Sequence, residues 1–147
     1  MIRPFCLNDT EAVVKLWLDS ARTSHGFLPQ FFWDTLEGDI RTLYLPMGEE
    51  IVLHIDDASG EIDAFFAFTG DYLGALFVAP AAQGQGLGSR MLRIARRMHP
   101  NLSLTVYKDN VKAVAFYERN GLSVTAERVE AQTGCAEYIM EFVHDIR

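Results

Sequence analysis

Residues 83–90, Gln83-Gly84-Gln85-Gly86-Leu87-Gly88-Ser89-Arg90, carry the densest chemical signal in the chain. Three glycines alternate with larger residues between an apolar run, Ala75-Leu76-Phe77-Val78, and a helical pattern running from Leu87 to Met98. Glycine has no Cβ, so backbone of this kind can pass close to a ligand. A helix start also leaves free N–H groups and a partial positive charge, which suits a phosphate. Glycine is a common turn residue as well, so the residues alone also allow a tight turn that binds nothing. Among phosphate loops, a P-loop needs Lys and then Ser or Thr after its last glycine, and Ser89-Arg90 stands there instead. A dinucleotide fingerprint needs G-x-G-x-x-G near the first strand of an alternating unit, whereas the spacing here is G-x-G-x-G in mid-chain. The pattern that remains is Gln-x-x-Gly-x-Gly, read at Gln83, Gly86 and Gly88.

The elements that must position this loop can be read from periodicity and breakers. Residues 2–6 predict a short strand. Asn8-Asp9-Thr10-Glu11 has the form of a capping box, with Asn8 as the cap, and predicts a first helix from Asp9 to Arg22. Thr23-Ser24-His25-Gly26-Phe27-Leu28-Pro29 breaks it, and a second helical region spans Gln30 to Tyr44, with Phe32, Leu36, Ile40 and Leu43 on one face. Ile51 to Ile55 and Ile62 to Phe68 read as a hairpin around Asp56-Asp57-Ala58-Ser59-Gly60, and Tyr72 to Val78 as the strand that leads into the glycine loop. In the helix after the loop, Leu87, Met91, Ile94, Ala95 and Met98 form the expected core stripe, with Arg90, Arg93 and Arg97 on another face. His99-Pro100-Asn101 ends it. Leu102 to Val106 follows as a strand, Asn110 to Asn120 as the last helix with Gly121 behind it, and 122–129 and 136–143 as strands around Thr133-Gly134. Hairpins together with two strand–helix–strand crossovers imply a mixed sheet covered by helices.

At 147 residues, nearly half of them apolar and 12% aromatic, the chain fits one domain over 1–147 with a full core. A net charge of -7 argues against nucleic acid and against an anionic membrane surface, and suits a cationic substrate such as an amine. Cys6 and Cys135 are the only cysteines, which gives neither a disulfide framework nor a metal-ligand spacing, so no metal is expected and a reducing cytoplasm is the simplest setting. Met1-Ile2-Arg3-Pro4-Phe5 lacks the apolar core of a signal peptide, and no apolar run approaches a membrane span. These readings make the protein cytoplasmic. A homodimer formed through a strand edge or a helix face stays open.

Val78-x-Pro80-x-x-Gln83-Gly84-x-Gly86-Leu87-Gly88 resembles the acetyl-CoA pyrophosphate loop of the GCN5-related N-acetyltransferases (GNAT), whose motif is Arg or Gln, two residues, Gly, one residue, Gly or Ala. A second segment, Asn110-x-x-Ala113-x-x-Phe116-Tyr117-x-x-x-Gly121-Leu122, is similar to that family's Asn-x-x-Ala-x-x-Phe-Tyr-x-x-x-Gly-Phe, and it follows in the right order. The element order matches across nearly the whole chain. The likeness is greatest to small single-domain bacterial members with a His-x-Phe pair after the first helix, here His25-Gly26-Phe27. Gln83 stands for the commoner Arg and Leu122 for the usual Phe, the first removing a charge at the pyrophosphate and the second changing only the core.

The resemblance implies an α/β (α+β) fold: a mixed, mostly antiparallel twisted sheet of about seven strands flanked by four helices. It implies an acetyltransferase that passes acetyl from acetyl-CoA to a primary amine, on a small molecule or a protein or peptide lysine, by direct attack. Backbone N–H groups from Gly84, Gln85, Gly86, Leu87, Gly88 and Ser89 would then cradle the pyrophosphate, with Gln83 and Arg90 beside it. Pantetheine would lie along Leu76-Phe77-Val78 where two parallel strands splay, and a strand N–H near Phe77 would face the developing oxyanion. Asn110 is read both as a cofactor contact and as a helix N-cap. Tyr117 is placed as the general acid toward the coenzyme A thiolate, against the alternative of a core aromatic. His25 is a candidate base, with Asp71, Tyr72 and ordered water as competitors. Phe27, Phe31, Tyr72 and Trp33 are candidates for the acceptor pocket, the aromatics equally for packing between the first two helices. A non-catalytic acyl-CoA-binding sensor or scaffold would use the same loop.

Overall fold

The computed structural model describes residues 1–24, 30–39, 41, 50–131 and 133–143; the side chains of 20–24, 30–32 and 36 fall outside the description. Its elements are β1 (Ile2–Pro4), α1 (Thr10–Ser24), α2 (Gln30–Asp39), β2 (Glu50–Ile55), β3 (Ile62–Thr69), β4 (Tyr72–Val78), α3 (Leu87–Met98), β5 (Ser103–Tyr107), α4 (Val111–Arg119), β6 (Leu122–Val129) and β7 (Ala136–Phe142). Seven strands form one sheet in the order β1-β2-β3-β4-β5-β7-β6, antiparallel throughout except between β4 and β5. The mixed, mostly antiparallel sheet with four flanking helices is therefore the observed fold. Among the described residues, no helix is long and apolar enough to cross a membrane.

Alternation along the strands divides the core between the two faces. On one face Val13, Val14 and Trp17 of α1 and Trp33 of α2 pack on Ile51, Leu53 and Phe65. On the other, Met91, Leu92 and Ala95 of α3 pack on Phe66, Phe68, Leu104 and Met140, joined by Phe116 and Tyr117 of α4. Each fully buried Leu, Met or Phe contributes about 1.5–3 kcal/mol by leaving water. In α3 the stripe is turned slightly from the expected one: Leu92 is buried and Met98 exposed.

The start of α1 also differs from the expected cap. Leu7–Asp9 forms a 3₁₀ turn, and Asp9, not Asn8, is the capping side chain: its Oδ2 accepts from the Cys6 N–H at 3.0 Å. The Arg3 guanidinium grips both Asp9 oxygens at 2.8 Å. That partner holds the buried Asp9 carboxyl well below the usual carboxylate range. β1 ends at Pro4, two residues earlier than expected.

Candidate active site

The only parallel pair among the described residues is barely a pair. β4 and β5 meet at one bridge, Tyr72↔Ser103, after which β4 follows β3 up to Val78 while β5 follows β7 up to Tyr107. The two strands diverge and leave a gap in the sheet. Ala79 N–H donates to Asp63 O at 2.8 Å. With Ala64 facing Val78, the alternating ladder then turns Phe77 toward β3, and the backbone groups of Leu76 and Val78 toward the gap. The N–H groups facing the gap thus belong to Phe77's neighbours and not to Phe77 itself. The Tyr72 hydroxyl shares a hydrogen bond with Thr105 Oγ1 at 2.7 Å, so a side-chain contact reinforces the closed end of the gap.

The glycine loop lies at the other end of β4. Pro80–Ala82 forms a 3₁₀ turn, and Gly84 and Gly86 take positive φ, +80° and +79°, which larger residues rarely adopt. A Cβ added to either would meet no atom within 4 Å, so their missing side chains leave open space. The first helical bond of α3 runs from Arg90 N–H to Gly86 O at 3.0 Å. Among the described residues, none of the amides from Gly84 to Ser89 donates to a protein oxygen. This is a cradle of donors at a helix N-terminus, and its chemistry fits a pyrophosphate. Gly88 serves another end: a Cβ there would lie 3.3 Å from Phe116 Cζ, so this glycine lets α3 approach α4. Gln83 folds back on the loop, its Nε2 donating to Val78 O at 3.0 Å. Gln85 and Arg90 are exposed, as are Arg93 and Arg97.

α4 presents the second segment. Asn110 is its N-cap, Oδ1 accepting from Ala113 N–H at 3.2 Å. Tyr117 packs edge-on to Phe116 with ring centroids 5.2 Å apart. Desolvation pushes the Tyr117 phenol up to about 12, and the Tyr72 phenol adds to the shift, so the two hydroxyls sense one another. Tyr117 is protonated at neutral pH.

The proposed acceptor residues are only partly within view. His25 and Phe27 lie outside the described residues, and Phe31 stands in α2 with its side chain outside them. Trp33 is buried in the core against α1. Asp71 is committed elsewhere, its Oδ1 lying 2.9 Å from His99 Nδ1. Sequence reasoning missed four residues near the gap: Thr105 and Tyr107 on β5, Arg128 on β6 and Glu137 on β7. Glu137 had a signal, as one of two acidic residues, with Glu141, inside an otherwise apolar strand. Thr105 had none, because its role depends on Tyr72, 33 residues away.

Comparison with known proteins agrees with this geometry. The family model of the acetyltransferase (GNAT) domain matches residues 48–122, half of the chain. The chain is 29% identical over 143 residues to the peptidyl-lysine N-acetyltransferase YiaC of Escherichia coli (strain K12), covering 97% of this chain and 96% of that protein. Its fold superimposes on the solution structure of apo-form YjaB from Escherichia coli with a TM-score of 0.86 at 25% identity, over 99% of this chain and 98% of that one. It shares its fold, at a TM-score of 0.73 and 16% identity, with the PaiA N-acetyltransferase of Thermoplasma acidophilum, solved in complex with coenzyme A, over 98% of each chain. The split between β4 and β5, the glycine loop and these likenesses together establish that the chain is an acetyltransferase and belongs to the GNAT family.

Proposed function

We propose that the protein is a single-domain N-acetyltransferase that takes acetyl from acetyl-CoA and delivers it to a primary amine, a peptide lysine being the favoured acceptor. One observation carries this reading: the gap between β4 and β5 runs from the Tyr72–Thr105 contact to a loop whose amides have no acceptor among the described residues. The relative YiaC, named for peptidyl-lysine, supports the choice of acceptor, and the coenzyme A held by PaiA supports the choice of donor.

Acetyl-CoA, when bound, supplies an acyl group activated as a thioester. The amides of Gly84, Gln85, Gly86, Leu87, Gly88 and Ser89 would hold its pyrophosphate, with Arg90 free to approach a further phosphate. Gln83 contributes by bracing the loop through Val78 O. Asn110 sets the start of α4 and thereby the placement of Tyr117. Leu76 and Val78 aim backbone N–H groups into the gap, where an oxygen gains negative charge during acyl transfer. Tyr117 keeps its proton at neutral pH and acts as the general acid that protonates the departing sulfur. The amine arrives mostly as ammonium, its pKa being about 10, and needs a base. His25 is our candidate, since Asp71 is tied to His99 and Tyr72 to Thr105. Phe27 and Phe31 belong to the same acceptor wall in this reading. We place the reaction in the cytoplasm, and pairing of two copies is compatible with it.

A coenzyme A release assay tests the proposal with lysine peptides, small alkylamines and amine antibiotics as acceptors. Release that depends on a lysine peptide is expected. Acetyl-CoA binding without release for any acceptor would favour the non-catalytic sensor.

A further inference from the structure

Glu137 is a carboxylate that the fold does not account for. It is 5% exposed, and among the described residues only Asp9 is a comparably buried charged group. Asp9 is satisfied on both oxygens by Arg3 and closes the cap of α1. Glu137 is different: Oε1 accepts from Arg128 Nε at 2.6 Å, while no hydrogen bond to Oε2 falls among the described residues, and since none of their buried side-chain oxygens lacks a partner, Oε2 is open to solvent. Its partner is a poor structural anchor, since the Arg128 side chain is 57% exposed. Such an exposed arm adds little stability, and a mostly buried carboxylate that keeps one oxygen open can accept a cation there.

Its position shows where such a cation would come from. Glu137 lies directly opposite Tyr107 on one side and Arg128 on the other, and directly opposed residues share a face of the sheet. Thr105, two residues from Tyr107, is on that face too, and Tyr72 reaches it across the closed end of the gap. Tyr107 packs with the cluster beneath α1, opposite the face that carries α3 and α4. Tyr72, Thr105, Tyr107, Glu137 and Arg128 therefore form one line from the gap outward, and Arg128 lies within electrostatic reach of both Glu137 and Tyr72.

Resting on the acetyltransferase reading above, we propose that Glu137 is the specificity-determining carboxylate for the acceptor, receiving the ammonium of a lysine side chain on Oε2 before that nitrogen is deprotonated. Arg128 partly offsets its charge, so that the site takes a cation without holding it too tightly.

The test is equilibrium binding, by calorimetry with coenzyme A present, of a lysine pentapeptide blocked at both termini and of its neutral acetyl-lysine counterpart. Glu137→Gln is expected to weaken the lysine peptide about tenfold, the scale of a charge-assisted hydrogen bond, and to leave the acetyl-lysine peptide unchanged. Arg128→Gln, at an exposed position, is expected to tighten the lysine peptide several-fold while leaving the acetyl-lysine peptide unchanged, and it keeps the inference testable if Glu137→Gln does not fold. Equal losses for both peptides, or no preference for the lysine peptide in the unsubstituted protein, would overturn the assignment. If the unsubstituted protein does not bind coenzyme A, the reading beneath is wrong and the inference falls with it.

Discussion

Tyr72 Oη and Thr105 Oγ1, 2.7 Å apart, join β4 to β5 where the backbone has a single bridge. This contact sets how wide the gap is at its closed end. Tyr72→Phe and Thr105→Val should each cost about 1 kcal/mol of stability, the usual worth of one hydrogen bond. Urea denaturation of the two single variants and the double variant checks this. Losses that do not overlap in the double variant would show that the two hydroxyls act independently.

The glycines of the loop separate into two kinds. Gly88→Val forces atoms toward Phe116, already 3.3 Å from a Cβ, and should cost about 1–3 kcal/mol of stability as an overpacked contact. Gly84→Ala has room for its Cβ but sits at φ +80°, so its cost is conformational, about 1–2 kcal/mol. Thermal denaturation measures both. Coenzyme A affinity, measured on the folded variants, should fall for both, since the amides of both glycines belong to the proposed cradle.

Tyr117→Phe should lower kcat about 100-fold while leaving acetyl-CoA binding intact, because general acid catalysis typically contributes that much. Desolvation pushes the phenol up to about 12, so this acid stays protonated through the range in which the protein is assayed. The pH–rate profile should therefore show no alkaline decline attributable to Tyr117 below about pH 10. A decline near pH 8 that Tyr117→Phe removes would contradict the assignment.

His99 sits between Asp71 and Glu50, at 2.9 and 3.0 Å, and caps the end of α3 over the Phe68 ring. The hydrogen bond to Asp71 and the neighbouring Glu50 raise its pKa, so its contribution to stability is complete below the unfolded value of about 6.5 and disappears as pH rises through the higher folded value. His99→Gln should lose about 1 kcal/mol at pH 6, since both carboxylates are half open to solvent, and much less at pH 9. Denaturation at the two pH values measures the difference. A loss that is the same at both would assign His99 a purely packing role.

How legible each feature was follows from how local its cause is. The bounds of β4, α3 and β6 can be read directly because Gly70, Gly86, Pro100 and Gly121 punctuate them. The cap of α1 could not, since Asp9 is recruited by Arg3 from a neighbouring strand. Met98 looked like core because spacing on α3 fixes a stripe but not its rotation. The glycine loop and Tyr117 were legible through two motifs in order. The gap itself was not, because it arises where β4 stays with β3 while β5 follows β7, a long-range pairing no local pattern encodes. Glu137 and Arg128 become neighbours through the β6–β7 hairpin, but Glu137 meets Tyr107 only through the long-range β5–β7 pairing.

The central claim is that the amides from Gly84 to Ser89 hold acetyl-CoA. Calorimetric titration of acetyl-CoA into the unsubstituted protein and into Gly86→Glu tests it most directly. One-to-one binding by the first and none by the second, with Gly86→Glu still folded, is the result the geometry predicts. Equal affinity in both would contradict it.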